Sequence, residues 1–178
     1  IGPGLGLERL DLLTEVLNLL TENQKLVIDG SALTLFAREP LDLPFPENTV
    51  FTPHEMELER LSGLKIGQQT KEEVQDFVNQ LGAIVVAKSS ETRIFAPNRE
   101  SFILKIGSPA QATGGMGDTL AGMVGGFLAQ FHGETEEVVA AATYLHSLIA
   151  SVLARKTYVV LPSRLIEEIP LFMKKYEC

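Results

Sequence analysis

Ala83-Ile84-Val85-Val86-Ala87-Lys88 decides the fold class. Five apolar residues follow one another without polar alternation and stop at a lysine. A strand with one face in water alternates apolar and polar residues, whereas a strand covered on both faces does not. The run therefore predicts a strand in a parallel sheet with helices on both sides. Two shorter runs upstream repeat the pattern. Leu26-Val27-Ile28 ends at Asp29, and Val50-Phe51 ends at Thr52-Pro53-His54. The segments between them have helical spacing. Leu10, Leu13, Val16, Leu17 and Leu20 predict a helix within 7–20, and shorter helices are expected over 32–37 and 55–61. Thr70-Lys71-Glu72-Glu73 predicts a capping box at the start of a helix that ends near Gln80, with Gly82 as its terminator. Residues 39–48 contain three prolines and read as loop.

Downstream, strands are expected over 92–96 and 101–105, joined by a hairpin turn at Pro97-Asn98-Arg99-Glu100. A helix over 118–131 carries large residues at Leu120, Val124, Phe127, Leu128 and Phe131. A second, small face at Ala121, Gly122, Gly125 and Ala129 suits close packing against another element. Thr135 reads as the cap of a helix running to about Lys156, and a last helix follows Pro162-Ser163. The chain is thus read as α/β, a mainly parallel central sheet flanked by helices on both faces, with residues 1–178 forming a single domain. Ile1-Gly2-Pro3-Gly4-Leu5-Gly6 reads as the tail of a strand entering a glycine-rich turn, so a further N-terminal portion is expected to precede it.

Composition narrows the function. The formal net charge is −8 and no basic patch is visible, which argues against nucleic acid as a partner. No run approaches the eighteen or so apolar residues of a membrane span, so no membrane partner is expected. The single cysteine is Cys178, so no internal disulfide can form, and a reducing, cytoplasmic setting is the default reading. The three histidines lack a zinc-binding spacing. His132 reads as a surface residue and His146 as a packed, hydrogen-bonded one.

The strongest chemical signal is Thr113-Gly114-Gly115-Met116-Gly117-Asp118, running straight into a helix. Gly114, Gly115 and Gly117 let backbone N–H groups turn toward a ligand, and the helix start favours an anion there. Asp118 at that point is a candidate base for a substrate hydroxyl. A tight turn with an aspartate cap would use the same residues. The loop is not a Walker A sequence, since no Gly-Lys-Ser/Thr follows. The second signal is positional. Asp29, His54 and Lys88 each follow a predicted strand, and ligands of open parallel sheets bind outside the carboxyl ends of the strands. Each also has a structural reading: Asp29 or His54 as a cap, Lys88 as a solvated charge.

Taken together, these segments resemble the NAD(P)H-hydrate dehydratases. Residues 107–122, Gly-Ser-Pro-Ala-Gln-Ala-Thr-Gly-Gly-Met-Gly-Asp-Thr-Leu-Ala-Gly, are similar to the family pattern G-N-P-G-M-A-T-G-G-T-G-D-V-L-A-G. Gly2-Pro3-Gly4-Leu5-Gly6 matches GPGLG, Val27–Leu33 resembles V-L-D-A-D-A-L, and Thr52–Glu57 resembles T-P-H-P-G-E. The resemblance implies a ribokinase-like fold, and an enzyme that dehydrates the hydrated form of NADH or NADPH at the expense of ADP or ATP, with Mg²⁺. It implies that Asp118 is the catalytic base and that Gly4, Gly6, His54 and Asp118 line the hydrate site. Lys88, Ser89, Ser90, Glu91, Thr92 and Gly117 would hold the adenine nucleotide. Asp29 and Glu57 would play supporting roles, with no metal site built from side chains. Homo-oligomers are typical of the family. Departures occur at Lys88-Ser89-Ser90-Glu91-Thr92, where the family has K-G-A-G-T, at Ser108–Gln111, and at Asp29-Gly30-Ser31 in place of D-A-D. Two other readings compete. One is a ribokinase-like kinase of a small alcohol such as a hydroxymethylpyrimidine or thiazole, and the other is a nucleotide-binding relative without turnover.

Overall fold

The computed structural model describes residues 1–176, so the reading of Cys178 lies outside the described residues. The chain divides into two compact units, residues 1–103 and residues 104–178.

The first unit is built on a five-stranded sheet. Its strands are β1 (Leu26–Ile28), β2 (Thr49–Phe51), β3 (Ile84–Ala87), β4 (Arg93–Phe95) and β5 (Phe102–Ile103). They lie side by side in chain order. β1, β2 and β3 pair in parallel, with Val27 opposite Val50 and Phe51 opposite Val85. β4 and β5 are antiparallel, which makes the sheet mixed at that edge. The unalternated runs behave as expected: Ile28, Val50, Phe51, Val85 and Val86 are all fully buried. α1 (Leu10–Leu19) precedes β1, α2 (Ser31–Arg38) joins β1 to β2, and α3 (Glu55–Ser62) and α4 (Lys71–Leu81) both lie between β2 and β3. Leu13, Leu17, Leu33, Leu58, Val74 and Val78 join the strand residues in one core. Burying a side chain of this size contributes on the order of 1.5–3 kcal/mol.

Several local expectations are refined. Thr70 accepts a hydrogen bond from the Glu73 N–H at 3.2 Å, but the reciprocal half of the predicted capping box does not form, because the Thr70 N–H donates to the Gln68 carbonyl at 2.8 Å. α4 closes at Gly82 in the left-handed region, as the pattern predicted. The loop over 39–48 ends in a short 3₁₀ turn, Pro46–Asn48, and a second such turn, Ile66–Gln68, precedes α4. The hairpin turn is present, with Asn98 at φ 56°, but β4 and β5 are shorter than the residues read as strand.

The second unit is helical: α5 (Met116–Gln130), α6 (Thr135–Leu153) and α7 (Pro162–Lys175). Met116, Met123, Leu145, Ile149, Val160 and Leu165 form its core. α5 starts two residues earlier than predicted, and α6 ends three residues earlier. Thr135 does not cap α6: Glu134 is the N-cap residue and makes no side-chain cap bond. The small face of α5 does not pack tightly along its length, because Gly122 and Ala129 are exposed and a Cβ on Gly122 would meet nothing within 4 Å. α6 has the length and mean hydropathy, 1.2, that a membrane span requires, but half of that stretch is buried. It reads as a core helix.

Candidate active site

The carboxyl ends of β1, β2 and β3 bring three of the expected residues together. The parallel register places His54 beside Lys88, and the Lys88 N–H donates to the Pro53 carbonyl at 2.8 Å. Lys88 Nζ donates to Asp29 Oδ1 at 2.9 Å. Asp29 is 2% exposed, and the Lys88 side chain is 19% exposed. A charge in such surroundings is tolerated only with a partner, so the carboxylate fixes where the ammonium sits. Asp29 is therefore neither a turn cap nor a solvated group.

The glycine-rich turn lies against the same strand end. The Ile1 amino group donates to the Val27 carbonyl at 2.7 Å, and the Asp29 N–H donates to the Ile1 carbonyl at 3.0 Å. The chain then turns, with the Leu5 N–H bonded to the Gly2 carbonyl at 3.0 Å. Gly2 has φ 130°, and a Cβ there would lie 1.6 Å from the Asp29 carbonyl oxygen, so no larger residue fits. Gly4 and Gly6 follow in the left-handed region, Gly4 exposed and Gly6 half-buried.

His54 caps α3. Its Nδ1 accepts from the N–H groups of Met56 at 3.2 Å and Glu57 at 3.3 Å, while Glu57 Oε2 accepts from the His54 N–H at 2.8 Å. The cap uses one edge of the ring, and the other edge is open: the side chain is 51% exposed. Glu57 is buried and supports this loop. Thr52, fully buried just before it, has a hydroxyl with no hydrogen-bond partner among the described residues.

The Lys88–Thr92 loop departs from the family's glycines but is internally bonded. Ser89 Oγ donates to the Glu91 carbonyl at 2.8 Å and accepts the Glu91 N–H at 3.1 Å. Thr92 Oγ1 donates to the Ser89 carbonyl at 3.3 Å. The Glu91 carboxylate is drawn to Arg93 at 3.3 Å, which offsets the negative charge that the sequence places here. Ser89, Ser90 and Glu91 are exposed and border a cleft of about 500 Å³. Gln69, Thr70 and Lys71 also line it. The sequence marks Thr70 and Lys71 only as the start of a helix and does not single out Gln69.

In the second unit, the turn before α5 takes the form the glycines suggest. Gly115 is the N-cap residue, at φ 86° and ψ −8°, and a Cβ there would come within 3.2 Å of Pro162 Cγ. Asp118 is not the cap but the third residue of the helix, exposed, in the first turn. The N–H groups of Gly117 and Asp118 have no acceptor among the described residues. Free amides at the start of a fifteen-residue helix attract an anion. Below the turn, Thr113 Oγ1 donates to the Val160 carbonyl at 3.0 Å and anchors it to the segment preceding α7. Among the described residues there is no cluster of three or more His, Cys, Asp and Glu.

The model of the NAD(P)H-hydrate dehydratase family matches residues 1–171. The chain belongs to that family. It is 99% identical, over all 178 residues, to the ADP-dependent (S)-NAD(P)H-hydrate dehydratase of Lactococcus lactis subsp. lactis (strain IL1403), of which it covers 65%. A crystal structure of a ribokinase-like superfamily protein from Enterococcus faecalis V583 matches 99% of the chain at 49% identity, with a TM-score of 0.95 and 62% of that protein covered. The ADP/ATP-dependent NAD(P)H-hydrate dehydratase of Bacillus subtilis, co-crystallised with ATP/Mg²⁺ and soaked with CoA, matches 99% of the chain at 28% identity, with a TM-score of 0.86 and 65% covered. The fold is ribokinase-like, and the chain spans a little under two thirds of the length of these NAD(P)H-hydrate dehydratase relatives.

Proposed function

We propose that the protein carrying this chain removes water from hydrated NADH or NADPH, using ADP as the phosphoryl donor. The observation that carries the proposal is the turn at Gly114–Asp118, where unpartnered amides at a helix start lie beside an exposed carboxylate. That combination suits the transfer of a phosphoryl group to a hydroxyl. ADP is preferred over ATP on the name of the 99% identical Lactococcus relative.

In this reading Asp118 takes the proton of the hydrate's hydroxyl. The freed oxygen attacks the terminal phosphoryl group of ADP and AMP leaves, while the amides at Gly114, Gly115 and Gly117 stabilise the charge of the migrating group. The C–O bond then breaks, pushed by the ring nitrogen's lone pair, and phosphate leaves with the oxygen; the adjacent ring carbon of the resulting iminium gives up a proton to water, which restores the dihydronicotinamide. Gly4, Gly6 and His54 hold the hydrate. Lys88, Ser89, Ser90, Glu91, Thr92 and Gly117 hold the nucleotide, supported by the cleft that Lys88–Glu91 border. Asp29 and Glu57 position Lys88 and His54. Mg²⁺, which binds largely through phosphate oxygens and water, would come with the nucleotide and offset charge on its phosphates.

Full-length protein supplied with hydrated NADH and ADP should release one inorganic phosphate for each reduced nicotinamide restored. Accumulation of a stable phosphoester of an alcohol instead would favour the kinase reading. Nucleotide binding without any turnover would favour the non-catalytic one.

A further inference from the structure

We infer that His54 is held in a single tautomer by the helix it caps, and that it meets the hydrate as a hydrogen-bond donor and not as a base. The inference rests on the reading of His54 as a hydrate contact. A neutral imidazole carries one N–H and one lone pair. The lone pair here belongs to Nδ1, which faces two N–H donors, those of Met56 and Glu57. A proton on Nδ1 would point at both and at the positive end of α3. The proton therefore resides on Nε2, at the edge of the ring away from the cap.

Nε2 has no hydrogen bond of its own among the described residues. Its nearest carboxylate oxygen, Glu57 Oε2, is 3.6 Å away and already accepts the His54 N–H at 2.8 Å. The open edge of His54 thus offers one donor and no basic nitrogen. What it recognises is an acceptor oxygen of the hydrated dinucleotide, and proton removal is left to Asp118. Glu57 is a positioning residue in this arrangement: it fastens the backbone of His54, and through it the direction of the Nε2–H bond.

Long-range proton–nitrogen NMR correlation on the labelled full-length protein reads the tautomer directly, with the His54 signals identified by their loss in His54→Asn. The expected result is a proton on Nε2 and an unprotonated Nδ1. A proton on Nδ1 overturns the inference whether or not the protein turns over the hydrate. Kinetics supplies the second arm. Asparagine is among the best N-cap residues, so His54→Asn keeps α3 capped but is too short to reach with a donor. Its melting temperature should stay near that of the parent, while His54→Ala lowers it. The KM for the hydrate should rise roughly three- to tenfold in His54→Asn, the effect of one lost hydrogen bond, with the KM for ADP unchanged. An Nε2–H tautomer with an unchanged hydrate KM would refute the substrate contact and leave His54 a cap alone.

Discussion

Removing both members of the ion pair between Asp29 and Lys88 should destabilise the protein far less than the two single removals added together. Asp29 is 2% exposed and its Oδ1 lies 2.9 Å from Lys88 Nζ, itself largely shielded. At that separation, and an effective dielectric constant near 20, the gross attraction is about 6 kcal/mol. Most of this offsets the desolvation of the two charges, so the pair adds little net stability. Asp29→Asn, however, strands an ammonium in a poorly solvated place, and breaking one side of a buried pair costs about 3–5 kcal/mol. Lys88→Met should be costly in the same way, since it strands the carboxylate. Asp29→Asn combined with Lys88→Met leaves no unpaired charge, and its cost should fall well below the sum of the two single changes. Guanidinium unfolding of the full-length protein gives the three stability changes with a common slope. The expected coupling energy in the double-mutant cycle is about 3 kcal/mol. Singles that simply add, to within about 0.5 kcal/mol, would show that the pair does not hold Lys88 in place, and the account of that residue would fall with it.

Three further outcomes follow from the site. Asp118→Asn should lower kcat by at least about a hundredfold, the ordinary contribution of a positioned base, while ADP affinity measured by calorimetry stays close to the parent value. Gly2→Ala should destabilise by about 1–3 kcal/mol and weaken hydrate binding, because its Cβ would sit 1.6 Å from the Asp29 carbonyl oxygen. Gly4→Ala meets no atom within 4 Å and carries only the strain of its left-handed backbone, about 1 kcal/mol, so thermal melting should place it below Gly2→Ala in cost. Glu91→Gly removes a carboxylate that Arg93 already offsets, so the KM for ADP should change less than about threefold, since exposed ion pairs contribute at most about 1 kcal/mol.

Much of this was legible in the residues. Continuous apolar runs ending at Asp29, Thr52 and Lys88 located three strands and their carboxyl ends, because burial on both faces leaves no room for alternation. The antiparallel edge followed from the turn at Pro97–Glu100. Other features depend on contacts that no local pattern carries. The start of α5 was misplaced because Gly115 caps it by its left-handed backbone and not by a side chain. The cap on α3 is one of the two readings the residues leave open for His54, but nothing local marks how it works, through Nδ1 with Glu57 completing the box. The ion pair of Asp29 with Lys88 joins residues 59 positions apart. Ser89 stands where the family has a glycine, and no pattern in the residues shows that its hydroxyl folds the loop on itself.

The central claim is that the hydrate's hydroxyl is phosphorylated before it leaves. Hydrated NADH carrying heavy oxygen in that hydroxyl, turned over with ADP by the full-length protein, tests it by mass spectrometry of the products. The account predicts that the label emerges in inorganic phosphate. Label released into water, with none in phosphate, would contradict it.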